Sequence, residues 1–227
     1  RAMDGIDIVI HTAALKHVPV AEYNPFEAVK TNIHGAQNII DCCLEHNVET
    51  VLAISTDKAV SPLNTYGATK LLMERLFISA NFYKGEKKSK FFCVRYGNVL
   101  SSRGSVVPKF IEQILSNNSI TITDSSMTRF NITMEQSTDL VFRALRNGVG
   151  GEIFIPKLKA YRLKELLESI SELLKSKPKI KKINVRPGEK FHESLIGFDE
   201  IRKTYENKDD YVLLPESEVY SYKNIKN

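Results

Sequence analysis

A phosphate-binding glycine turn is missing from this chain: none of its eleven glycines falls into a GxGxxG pattern. The sequence therefore supplies no pyrophosphate cradle of that kind. Cysteine is scarce. Cys42, Cys43 and Cys93 form an odd set of three without a CxxC pair or a histidine at metal spacing. Neither a disulfide framework nor a zinc site is indicated, and a reducing, cytoplasmic setting is expected. His192 beside Glu193 lacks the HExxH arrangement, and the other four histidines are scattered, so no metal is expected. No apolar run approaches the roughly 18 residues of a membrane span, and no signal-peptide pattern leads the chain. The stretch is expected to be soluble, without membrane contact.

The net charge of +5 raises the question of nucleic acid, but the basic residues fall in two short clusters, Lys84 to Lys90 and Lys175 to Lys182. Neither is interleaved with aromatics and no nucleic-acid module is recognisable, so that partner class is excluded. Basic residues lining a cleft would suit a diphosphate instead.

At 227 residues, 42% of them hydrophobic, the chain can bury one large core or two modest ones. Apolar periodicity predicts strands at IDIVIHTA, VETVLAIST, KFFCVRYGNV and GGEIFIPK. It predicts helices at PFEAVKTNIHGAQNIIDCCLEHN, YGATKLLMERLFISANF, VVPKFIEQILSN, EQSTDLVFRALRN and RLKELLESISELLKSK. ITITDSS and MTRFNIT read as short strands or loops, and IKKINVR as a strand. This alternation predicts an α/β doubly wound parallel sheet with a smaller C-terminal substrate lobe. The expected division is residues 1–118 as a partial dinucleotide-binding unit and 119–215 mainly as the lobe, with a strand at about 151–157 returning to the sheet. Residues 216–227 have no apolar period and are expected to be loosely ordered.

The chemistry is concentrated in STDKAVSPLNTYGATK. The buried-type strand VLAISTD delivers Ser55, Thr56, Asp57 and Lys58 at its carboxyl end, where open α/β sheets bind their ligands. Tyr66 and Lys70 follow four residues apart on a helix and share a face. A free phenol ionises near pH ~10, so its use as a base at neutrality needs about three units of depression, or ~4 kcal/mol. A neighbouring ammonium and a cationic nicotinamide could supply that, which places the Lys70 charge beside the phenol as an expectation.

VIHTAALKHVP, STDKAVSPLNTYGATK, RYGNVLSSRGSVVPKF, MTRFNIT and RPGEKFHE, in that order, resemble the extended short-chain dehydrogenase/reductase superfamily. Within it they are similar to the inverting UDP-N-acetylglucosamine 4,6-dehydratases of polysaccharide and nonulosonic acid biosynthesis. The resemblance runs to about Leu214 and is most specific at Asp57 and Lys58. Retaining 4,6-dehydratases typically place Asp then Glu there, and 4-epimerases lack an acid/base pair. Because members of this superfamily open with a glycine turn, the resemblance implies an N-terminally incomplete copy whose dinucleotide binding would be weak.

The resemblance implies a Rossmann-like fold and a tightly held, recycled NADP or NAD. Cofactor contacts would come from Thr12, Ala13, Ala14, Asn32, Ser55, Tyr66, Lys70, Tyr96, Gly97, Asn98 and Val99. A UDP-sugar substrate would meet Lys16, Asn98, Arg129, Arg186 and Glu189, the arginines suiting phosphate oxygens and the carboxylate a ribose diol. Thr56, Asp57, Lys58, Tyr66 and Lys70 would carry the chemistry, Tyr66 as base at the 4-hydroxyl, Lys58 as base at C5 and Asp57 as acid at the 6-hydroxyl. A basic Lys58 requires a lowered pKa, expected from its proximity to Lys70. A homo-oligomer is expected of the full-length protein. The competing readings are a UDP-sugar 4-epimerase, which needs no role for Asp57 or Lys58, and a non-catalytic dinucleotide-binding regulator.

Overall fold

The computed structural model describes residues 1–100, 102, 105–117 and 119–215; the expected tail, 216–227, lies outside them. The chain opens with strand β1 (Ile8–His11), the short helices α1 (Val18–Tyr23) and α2 (Pro25–Val29), a π-helical turn (Lys30–His34) and α3 (Gly35–Glu45). There follow β2 (Thr50–Ile54), α4 (Thr65–Tyr83), β3 (Lys90–Val94), β4 (Asn98–Val99) and α5 (Val106–Asn117). The remainder supplies β5 (Ser119–Ile122), β6 (Thr128–Ile132), α6 (Met134–Asn147), β7 (Ile153–Pro156), β8 (Ala160–Arg162), α7 (Leu163–Leu173) and β9 (Lys179–Lys182). The last strands are β10 (Thr204–Glu206) and β11 (Asp210–Leu213).

The main sheet has the order β1-β2-β3-β7-β11-β10. Its first four strands are parallel, as expected, whereas β11 and β10 add an antiparallel edge. Those two strands are short and carry Asp, Glu and Tyr, so they give no buried-strand signal of their own and the sequence reading did not assign them.

The period-2 alternation of a strand sends successive residues to opposite faces, and both faces are apolar in the central strands. Val51, Ala53, Phe91, Cys93, Ile153 and Ile155 pack with Ala36 and Ile40 of α3 and Met73 and Phe77 of α4. The intervening Leu52, Phe92, Val94 and Phe154 meet Leu140 and Ala144 of α6. Each such side chain is worth about 1.5–3 kcal/mol when fully buried, so the register of β2 and β3 is strongly specified: a one-residue slip would exchange the two faces. A Thr133–Gln136 capping box starts α6, satisfying two orphan donors reciprocally.

The smaller lobe has a separate core of Phe110, Ile114, Ile120, Ile122, Leu167 and Ile170, built from α5, α7 and the parallel pair β5 and β9. A three-stranded sheet, β4-β6-β8, lies at the lobe side of the strand ends through β4, which continues from β3.

Candidate active site

The carboxyl ends of β1, β2 and β3 open into one cleft with two adjoining halves. The strand-end half is lined by Thr12, Ala14, Ser55, Thr56, Tyr66, Lys70, Tyr96 and Gly97. The lobe half is lined by Asn64, Arg129, Asn131, Glu189, Lys190 and Glu193. Lys58, Asn98, Val99 and Arg186 border both. The residues expected to hold a dinucleotide and those expected to hold a sugar nucleotide thus meet at Lys58 and Asn98.

Thr56 leaves β2 in an extended conformation and caps a single 3-10 turn, Asp57–Ala59. The Asp57 N–H donates to the Tyr96 carbonyl at 3.0 Å, which ties this turn to the end of β3. The Asp57 carboxylate is fully buried; its Oδ1 accepts from Lys58 Nζ at 2.9 Å and from Thr56 Oγ1 at 3.0 Å, and its Oδ2 has no partner among the described residues. Lys58 Nζ also reaches Asn98 Oδ1 at 3.5 Å and Glu193 Oε1 at 3.5 Å. Burial alone pulls the Lys58 pKa down, but Asp57 and then Glu193 more than reverse it, and the net shift is upward. This corrects the expectation of a lowered pKa. The carboxylates beside Lys58, absent from the i, i+4 argument, decide its charge.

The Tyr66 phenol is buried, and burial pushes its pKa up to about 12, opposed first by the Lys58 charge and then by a hydrogen bond with Thr56. The cation acting on the phenol is therefore Lys58. Lys70 shares the helix face with Tyr66 but sends its ammonium to Met73 Sδ at 3.0 Å, which corrects the expected Lys70–phenol pairing. A lysine stem is long enough to reach i+3 as readily as to turn back, so helical spacing alone does not choose its partner. Burial lowers the Lys70 pKa to about 8, with Cys93 and Glu74 opposing.

Close backbone approach explains two glycines. A Cβ on Gly67 would lie 2.1 Å from the Lys58 carbonyl oxygen, and one on Gly97 would lie 2.4 Å from that of Phe130. The first lets α4 start against the Asp57–Lys58 turn; the second lets the end of β3 lie against β6. Asn64 caps α4 by accepting from Gly67 N at 2.8 Å and donates to the Gly188 carbonyl at 2.8 Å. One side chain thus holds both the helix bearing Tyr66 and the RPGEK turn.

Beneath the cleft, Ser55 Oγ donates to Glu74 Oε1 at 2.5 Å. Glu74 is paired bidentately with Arg95 at 2.7 and 2.9 Å, and Arg95 is paired in turn with Glu200 at 2.7 and 2.9 Å. Arg95 is fully buried and joins β2, β3 and α4 to the turn Phe198–Lys203. Asn32 is buried in the π-helical turn, holding both backbone groups of Leu15 at 2.7 and 3.1 Å and Thr69 Oγ1 at 2.9 Å. It lies behind the cleft and braces the loop after β1 against α4.

The remaining expected residues divide. Thr12, Ala14 and Lys16 line the strand-end half, whereas Ala13 is exposed and outside the lining, because neighbouring residues of an extended segment face opposite ways. Arg129 and Glu189 are brought together at 3.6 Å. Glu189 also accepts from Thr123 Oγ1 at 3.1 Å and from Arg186 N at 3.2 Å, so its carboxylate organises the turn as well as facing the cleft. The Arg186 side chain is exposed at the cleft border.

Glu193 and Lys190 are cleft residues that the sequence reading did not single out. The only local signal at Glu193 was its place in RPGEKFHE, where its neighbour His192 invites a metal reading. In the fold, His192 bridges to Thr128 of β6, and this register turns Glu193 inward toward Lys58. Among the described residues no cluster of His, Cys, Asp or Glu could hold a metal ion, and no helix is long and apolar enough to cross a membrane.

Comparison with known proteins agrees with this geometry. The family model described as polysaccharide biosynthesis protein matches residues 1–215. An inverting UDP-N-acetylglucosamine 4,6-dehydratase of Campylobacter jejuni is 47% identical over 216 residues, covering 94% of this chain and 63% of its own. A UDP-glucose 4-epimerase of Rickettsia massiliae is 42% identical over 211 residues, covering 93% and 62%. The chain thus spans less than two thirds of the length of either relative. Among solved structures, Pen from Bacillus thuringiensis superimposes with a TM-score of 0.91 at 46% identity, over 95% of this chain and 68% of that one. A dTDP-glucose 4,6-dehydratase from Streptomyces venezuelae, solved with NAD bound, shares the fold at a TM-score of 0.79 and 20% identity, over 89% and 68%. With a family match along nearly its whole length and a doubly wound sheet of the same architecture, the chain belongs to the polysaccharide biosynthesis protein family, within the extended short-chain dehydrogenase/reductase superfamily.

Proposed function

We propose that the protein to which this chain belongs is a nucleotide-sugar 4,6-dehydratase that acts on UDP-N-acetylglucosamine and inverts C5, using a resident NADP or NAD. The observation that carries this reading is the pair of buried Asp57 and partly buried Lys58, 2.9 Å apart, where the two halves of the cleft meet. An oxidation and re-reduction at C4 has no use for such a pair; an elimination across C5 and C6 needs one acid and one base.

A nicotinamide dinucleotide fits the strand-end half. The buried Lys70 ammonium has a thioether as its hydrogen-bond partner, a weak acceptor for a strong donor, and ribose hydroxyls would satisfy it. When bound, the oxidised nicotinamide supplies positive charge near the phenol, accepts hydride from sugar C4 and returns it at C6.

Tyr66 takes the proton of the 4-hydroxyl, with Thr56 and the Lys58 charge favouring the phenolate. The 4-ketone so formed acidifies the hydrogen on C5. In the resting site Lys58 is an ammonium and Asp57 a carboxylate. Transfer of one proton along their hydrogen bond gives an amine and a carboxylic acid, arming both groups at once. Exclusion of water by the substrate favours this neutral pair. Lys58 then removes the C5 proton and Asp57 protonates the departing 6-hydroxyl, which leaves as water, and the pair regains its resting charges. A solvent proton added at the opposite face of C5 completes the inversion, and Tyr66 releases to solvent the proton it took from the 4-hydroxyl, which closes the proton balance. Arg129 and Arg186 at the cleft border suit the diphosphate.

The 42% identity to a protein named as an epimerase keeps UDP-sugar 4-epimerisation as the alternative, and it predicts a different product. A chain of the relatives' full length, incubated with UDP-N-acetylglucosamine, should yield a 4-keto-6-deoxy nucleotide sugar lighter by one water. An isomer of unchanged mass would replace the dehydratase reading with the epimerase one.

A further inference from the structure

We infer that Glu193 is a positioning residue of the elimination step, the second of two buried carboxylates that hold the Lys58 ammonium in place and keep it charged in the resting site. This rests on the dehydratase reading for its part in catalysis, but not for its effect on Lys58. Glu193 is only 7% exposed. Its Oε1 lies 3.5 Å from Lys58 Nζ, its Oε2 3.9 Å from Lys190 Nζ, and Oε2 has no hydrogen-bond partner among the described residues. A carboxylate is taken out of water at considerable cost, and Glu193 is held there facing two lysines of the cleft. The backbone aims it: Glu193 N donates to the Thr128 carbonyl at 3.4 Å while His192 Nδ1 and Thr128 Oγ1 lie 3.0 Å apart.

The charged and titratable groups around Lys58 come from five elements. They are Asp57 on its own turn, Tyr66 on α4, Tyr161 on β8 with Arg129 of β6 acting on it, and Lys190, the last residue of RPGEK, with Glu193 three residues on. Asp57 and Glu193 are the two acids that raise the Lys58 pKa, and they approach it from different segments of the chain. Asp57 can exchange a proton with Lys58 along a short hydrogen bond. Glu193, at 3.5 Å, acts on it mainly through charge. With both acids ionised, Lys58 resists deprotonation until substrate displaces water, so the base at C5 is unmasked only in the closed site.

The test compares the wild type with Glu193→Gln, which keeps shape and removes charge, and Glu193→Asp, which keeps charge and retracts it. All are made in a chain of the relatives' full length. The Lys58 titration is read by NMR after 13C-methylation of lysines, with the resonance assigned by Lys58→Arg. Solvent deuterium entry at sugar C5 is followed against pH in parallel. Loss of one nearby negative charge should lower the Lys58 pKa by about 1 unit, and the pH limb of C5 exchange should move down with it. Cofactor reduction at C4 should change less than C5 exchange, and Glu193→Asp should return part of the shift. A Lys58 titration and exchange profile that stay in place in Glu193→Gln overturn the proposal, whatever happens to KM or stability. A shifted titration in a protein that forms no dehydrated sugar upholds the effect on Lys58 and sinks the dehydratase reading alone.

Discussion

Lys58 borders both halves of the cleft and Lys70 only the strand-end half, and they differ in what surrounds them. Two carboxylates flank Lys58, and its pKa is raised; Lys70 has a thioether, and burial lowers its pKa to about 8. One lysine is stabilised as a cation, whereas the other is a buried cation short of acceptors. The difference teaches that the two halves serve different ends. At the lobe side, acid and base are already paired. At the strand-end side, a donor is held ready for a ligand.

Removing each cation should therefore change stability in opposite directions. Lys58→Met strands Asp57 and Glu193 as buried acids, and loss of one partner of a buried ion pair typically costs about 3–5 kcal/mol. A fall in urea midpoint at constant slope would report it. Lys70→Met removes a poorly solvated cation. The fall from the ordinary lysine value of 10.5 to about 8 corresponds to about 3 kcal/mol, and this variant should be more stable near pH 7 while losing activity. Equal destabilisation by both substitutions would erase the distinction between the halves.

The pH dependence sharpens the same comparison. Between about 8 and 10.5 the unfolded chain holds the Lys70 proton and the folded chain does not, so this residue makes stability rise with pH. Lys58, with a raised folded pKa, contributes stability that is present at lower pH and is lost as pH climbs through that value. Denaturant midpoints taken across this window should lose their rising component both in Lys70→Met, which has no titrating group, and in Lys70→Arg, whose guanidinium stays protonated in folded and unfolded chain alike.

A smaller effect is expected from Gly67→Ala. The new Cβ would lie 2.1 Å from the Lys58 carbonyl oxygen, and relief of such overpacking typically costs about 1–3 kcal/mol. Because it is the Lys58 backbone that must move, C5 exchange should suffer more than cofactor reduction. Equal loss in both steps would show that α4 moves instead.

Much of this was legible in the chain. The β-branched run ending in Ser55, Thr56 and Asp57 reads as a buried strand because both faces of β2 are covered, and α4 reads from its apolar spacing. The parallel order of the first strands follows from the helices between them. Three features were not legible, each for a physical reason. Strands β10 and β11 depend on the pairing of β11 with β7 and of β10 with β11, since each is short and mixes polar with apolar residues. Lys70 meets Met73 because a helical face fixes a neighbourhood and leaves the rotamer open. Glu193 lies far along the chain from Lys58, and only the bridge between His192 and Thr128 brings it into the cleft.

The division of labour between Tyr66 and the Asp57–Lys58–Glu193 group is tested most directly by single-turnover kinetics of Lys58→Met in a chain of the relatives' full length with UDP-N-acetylglucosamine. The account predicts that the reduced cofactor still appears, more slowly because the Lys58 charge no longer favours the Tyr66 phenolate, and persists while deuterium entry at C5 and formation of the 4-keto-6-deoxy sugar fall by about a hundredfold or more. Product formation at the wild-type rate would contradict it and remove Lys58 from the reaction.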